Sequence, residues 1–64
     1  MTPADLRAIR GRLGLSQQAM AREMGMRLRQ YGAMERGERE APIGKRHENA
    51  IAGVLARLEK LPAE

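Results

Sequence analysis

The chain has 64 residues, with 12 Lys and Arg against 8 Asp and Glu, a net charge of +4, one His and no Cys. That length holds a single domain, taken here as 1–64, which buries only about 60% of the surface its unfolded form exposes, and the lack of Cys excludes disulfide scaffolds and thiolate zinc sites. With neither staple available, a homodimer is the economical way to stabilise so small a core, and the Arg-rich excess of positive charge favours a polyanionic partner.

Thr2 followed by Pro3 reads as an N-cap and first helical position. Leu6, Ile9 and Leu13 then recur at helical spacing up to a stop at Gly14. Ser16 caps a second helix whose apolar stripe is Met20, Ala21 and Met24, ended by Gly25. After a turn of about three residues, a third segment runs from Arg27 to Arg36, with Tyr31 and Met34 apolar at i and i+3 and Gly37 as its stop. A polar loop through Pro42 leads to a last helix, about 44–61, with Ile51, Val54, Leu55, Leu58 and Leu61 on one side. No stretch alternates with period two, and β-branched and aromatic residues are scarce, so the fold class is all-α. On periodicity alone, a helix-turn-helix over about 16–36 and a generic helical bundle remain equally open.

The run Leu13-Gly14-Leu15-Ser16-Gln17-Gln18-Ala19-Met20-Ala21-Arg22-Glu23-Met24-Gly25, followed by Tyr31, Met34-Glu35-Arg36-Gly37 and Pro42, closely resembles the Cro/repressor-type (XRE-like) helix-turn-helix family. The resemblance covers residues 6–42. It implies a compact lambda-repressor-like domain of four or five helices that binds double-stranded DNA, with the third helix in the major groove and the second across the backbone. Gly25 falls where the chain must turn sharply, with φ > 0 expected, and Ala21 is small where the two helices of the motif approach. The resemblance further pairs Arg10 with Glu35 as a largely buried ion pair of architectural role.

By the same resemblance, Arg27, Leu28, Arg29, Gly32 and Ala33 occupy the base-reading positions. Arg29 suits the O6 and N7 of guanine, since its two parallel donors match them, or else meets a phosphate. Leu28 would contact a thymine methyl, or be a core residue if the helix is rotated. Gly32 either lets the helix sit deep in the groove or relieves crowding around Tyr31. Gln17 matches the phosphate-contacting Gln of the family, and Arg36, Arg39, Lys45 and Arg46 flank the loop where the backbone is touched. Two departures stand out: Arg27 replaces the usual Ser or Thr cap of the third helix, and Tyr31 replaces an aliphatic residue, which points its hydroxyl to the domain edge or to a phosphate. Val54, Leu55, Leu58 and Leu61 exceed what a small core can use and are assigned to a dimer interface, which predicts a pseudo-palindromic operator.

An enzyme is not expected, because His47 is the lone imidazole, Asp5 the lone Asp, and no paired-carboxylate or phosphate-loop pattern is present. Neither a metal nor a cofactor nor a small-molecule ligand is expected. A protein-interaction module, such as an antitoxin-type partner binder on the same fold, is the rival reading. With no bilayer-length apolar run and no leader at Met1, a soluble cytoplasmic protein is expected. A repressor autoregulating a small phage, plasmid or mobile-element operon fits best.

Overall fold

The computed structural model describes residues 1–59, and within them four helices follow one another: α1 (Pro3–Leu13), α2 (Gln17–Met24), α3 (Leu28–Arg36) and α4 (Lys45–Glu59). The starts of the first two helices follow from their caps. The Thr2 hydroxyl accepts the Asp5 amide at 3.1 Å, while the Asp5 carboxylate accepts the Thr2 amide at 3.0 Å, a reciprocal box that satisfies two helix-end donors. The backbone hydrogen bond to Thr2 also holds the Asp5 carboxyl below its ordinary pKa. Ser16 accepts the Ala19 amide at 3.1 Å at the start of α2.

The ends of α1, α2 and α3 share one device. Each stops at a glycine in the left-handed region, and the residue after it donates back across the last turn: Leu15 to Arg10, Met26 to Ala21 and Glu38 to Ala33. This pairing satisfies carbonyls that the helix would otherwise leave open. At Gly25, φ is 72° as expected for the turn, and a β-carbon there would meet no atom within 4 Å. Backbone angle alone therefore calls for glycine.

The core is made of Leu6, Met20, Ala21, Tyr31, Met34, Ala41, Ile51 and Val54. α3 packs on α1 and α2, and α4 packs on the same two helices. Ile9, Leu13, Leu15, Met24, Met26, Ile43, Leu55 and Leu58 pack around that centre with part of their surface left in water. Ala41 and Ile43 belong to the link after α3, which the helical stripes did not identify as core. No helix among the described residues is long and apolar enough to cross a membrane.

Two expectations need correction here. Val54, assigned to a dimer interface, is 1% exposed; it fills the space under α4 and is not on the surface. Tyr31 has its whole side chain buried, and its hydroxyl donates to Glu35 at 2.6 Å instead of reaching the domain edge. Leu55 and Leu58 are only half-buried, and Leu61 lies outside the described residues.

Candidate nucleic-acid interface

The site begins with what anchors α3. The Glu35 carboxylate is 2% exposed and lies 2.6 Å from the Nε of Arg10, which is 24% exposed. Its Oε1 accepts from Arg10 Nη2 at 3.2 Å and Gln17 Nε2 at 3.0 Å; its Oε2 accepts from Arg10 Nε at 2.6 Å and the Tyr31 hydroxyl at 2.6 Å. Arg7 adds a bond from Nη1 to the Glu35 carbonyl at 2.6 Å, and Arg10 Nη1 reaches the Leu15 carbonyl at 3.0 Å. Burial pushes the Glu35 carboxyl up, but the hydrogen bonds from Arg10, Tyr31 and Gln17 outweigh it, and the group ends below its ordinary value. The same contacts raise the pKa of Arg10, chiefly through its bond to Glu35. Burial first, and the Glu35 carboxylate second, raise that of Tyr31.

With Tyr31, Met34 and Glu35 turned inward, helix geometry sends the outward face along Arg29, Gln30, Ala33 and Arg36. A groove of about 520 Å³ follows that face, bounded by Arg27 at the N-cap of α3, by Arg29, Gln30, Ala33 and Arg36 on the helix, and by Glu38, Glu40 and Ala41 of the link beyond. A second recess of about 350 Å³ joins the α2–α3 turn to the start of α4, where Arg27 and Gln30 meet Arg46, His47 and Ala50. At its edge the Gly44 amide donates to His47 Nδ1 at 3.1 Å, so His47 helps to start α4.

Arg27, Arg29 and Ala33 therefore border one open surface, with Ala33 also packed on the core. Leu28 is 45% exposed on the flank of α3, which excludes its core reading. Arg27 is the N-cap residue of α3 and makes no side-chain cap. Gly32 is a correction: it is buried in the flank that faces α2, and a β-carbon built there would lie 3.2 Å from Arg36 Nη1 and 3.8 Å from Gln17 Oε1. The rotation that buries Tyr31 and Glu35 carries Gly32 off the outward face and brings Gln30 onto it. Gln30 was missed, because helical spacing places it no nearer than Gly32 to the face opposite Tyr31, Met34 and Glu35, and only the burial of Gly32 tells the two apart. Gln17 is half-buried and bonded to Glu35, Arg36 is 61% exposed and tied to Glu38 at 2.6 Å, and Arg39, Lys45 and Arg46 are exposed.

Charge is sorted over this surface. Among the described residues, Glu23, Glu35, Glu38, Glu48 and Glu59 each lie in an ion pair, with Arg57, Arg10, Arg36, the Met1 amino group and Arg12 respectively. Arg7, Arg22, Arg27, Arg29, Arg39, Lys45 and Arg46 stand in none of these pairs, and all but Arg7 and Arg22 lie on α3, at its N-cap, in the link after it or in the first turn of α4. Most of the cations outside these pairs therefore cluster around the exposed side of α3, where Glu40 is a carboxylate that also stands in none of them. No group of three or more His, Cys, Asp and Glu side chains suited to a metal occurs among the described residues.

Comparison with known proteins adds one match: the sequence profile of the helix-turn-helix family covers residues 6–45. No curated protein and no solved structure matches the chain.

Proposed function

Because the chain belongs to the helix-turn-helix family, we propose that it is a sequence-specific DNA-binding regulator of transcription, of the Cro/repressor type, acting through α3 in the major groove. The observation that carries this reading is the outward face of α3. It offers Arg29, whose two donors suit a guanine edge, and Gln30, whose donor and acceptor suit an adenine edge, beside the small Ala33 on a groove whose rim carries Arg27 and Arg36 as well as Glu38 and Glu40.

Phosphate contacts position the domain, and base contacts select the sequence. Arg27, Arg39, Lys45 and Arg46 are suited to the first task because they carry charge without an ion-pair partner; Arg36 and Gln17 join them from the α2 side. Arg29 carries the second task, with Leu28 available to a thymine methyl. A homodimer, brought together through Leu55, Leu58 and the residues beyond, would set two copies of α3 about one turn of DNA apart on a pseudo-palindromic operator. We further read the protein as a cytoplasmic, non-enzymatic repressor that controls its own small operon, with protein concentration as the regulating variable.

The test is a salt series of binding to a fluorescent duplex from upstream of the protein's own gene, beside a scrambled duplex, for wild type and Arg29→Ala. The expected result is salt-sensitive preference for the native duplex, with roughly 1–3 kcal/mol of that preference lost in the variant. Equal weak binding to both duplexes, unchanged by Arg29→Ala, would overturn the reading in favour of a protein partner.

A further inference from the structure

Gly32 is expensive for α3 and is not required by its packing. A glycine inside a helix lowers its stability relative to alanine, and α3 is only nine residues long. Its backbone angles are helical, since among the described residues positive φ occurs only at Gly14, Gly25 and Gly37. Beyond its chain neighbours and the backbone of its own helix, a β-carbon there would meet only side-chain atoms, and the 3.8 Å to Gln17 Oε1 is an ordinary contact. The crowded neighbour is Arg36 Nη1, at 3.2 Å. Arg36 reaches back one turn, as helical side chains do, and its guanidinium lies over the bare backbone of Gly32, while its Nε is held by Glu38 Oε2 at 2.6 Å.

We propose that Gly32 is a positioning residue for DNA binding: its missing side chain seats the Arg36 guanidinium on α3 beside Gln17, so that both side chains meet one backbone phosphate. This rests on the DNA-binding reading above. A long exposed Arg otherwise gives up considerable rotamer freedom on contact, and a seated one has already done so. Glu38 holds the guanidinium through Nε and Gly32 supports it from below, which leaves the other donors of Arg36 for a phosphate. Any side chain at position 32 lifts Arg36 away from Gln17.

The experiment needs no operator, because phosphate contacts are independent of sequence. Binding to a labelled duplex of arbitrary sequence, about two helical turns long, is measured against salt for wild type, Gly32→Ala, Gly32→Leu, Arg36→Ala and Gly32→Ala combined with Arg36→Ala, each with a thermal melt. Gly32→Ala is expected to melt higher, by roughly 4 °C or more, yet to bind roughly three- to tenfold weaker, with a log–log salt slope smaller by about 1. Gly32→Leu should lose at least as much affinity; should its bulk prevent folding, Gly32→Ala alone decides. The double variant should bind no more weakly than Arg36→Ala, since both changes remove the same contact.

A Gly32→Ala variant that binds like wild type, or losses that add in the double variant, would overturn the proposal. So would wild-type affinity in Arg36→Ala, which leaves the DNA reading intact. A wild-type protein with no salt-dependent duplex binding would overturn both.

Discussion

Removing the charge of Glu35 while keeping its shape, by Glu35→Gln, leaves Arg10 without its partner in a site only a quarter open to water. Stranding such a charge costs about 3 kcal/mol, a large part of the stability available to so small a domain. Urea titration should show that loss at neutral pH, and the difference should shrink in acid. The folded carboxyl lies below its ordinary value of 4.5, so its contribution is present above that value and disappears as pH falls through the lower, folded one. The acid limb of the stability curve should therefore be flatter in Glu35→Gln than in wild type. Tyr31 acts with the opposite sign: its raised value means a contribution complete below its ordinary 10.0 and lost as pH climbs beyond it. The resemblance named the Arg10–Glu35 pair, but Gln17 and Tyr31 as further donors to the same carboxylate were not legible, because they depend on how three helices converge.

At the scale of the helix, α3 differs from its neighbours in starting without a side-chain cap, since Arg27 stands where α2 has Ser16. Arg27→Ser should supply the missing acceptor and stabilise the fold by about 1 kcal/mol, raising the melting temperature while weakening binding to any duplex and reducing its salt slope by about 1. A variant that gains stability and keeps full affinity would show that Arg27 touches no phosphate. Helix limits were the most legible part of the sequence. Thr2, Ser16, Gly14, Gly25 and Gly37 act through local backbone chemistry, which spacing reveals directly. The rotation of α3 was less legible, because Gly32 and Gln30 exchange faces according to which side of Tyr31 packs inward. A glycine has no hydropathy with which to announce burial.

For the whole molecule, the apolar face of α4 separates into a part that closes the core and a part that does not. Val54 belongs to the first. Val54→Ala should cost roughly 1–3 kcal/mol, lowering the melting temperature by a similar amount at protein concentrations about a hundredfold apart. On the dimer proposed above, wild type should melt higher at the higher concentration, and the variant should retain that dependence. Loss of the concentration dependence in Val54→Ala would return this residue to the interface. The sequence overestimated the surplus because it counted apolar positions on α4 without knowing how much space α1 and α2 leave beneath it. Charge was legible in sign but not in arrangement, since ion pairs such as Arg12–Glu59 and Arg57–Glu23 join residues far apart in the chain.

The four donors gathered on Glu35 come from α1, α2 and α3 together. None of these helices can fray alone without uncovering a buried charge, so the three open as one unit or stay closed. The entropy of fixing α3 against α2 is therefore lost when the chain folds, not when it meets a duplex. What remains to be ordered at binding is confined to the exposed side chains.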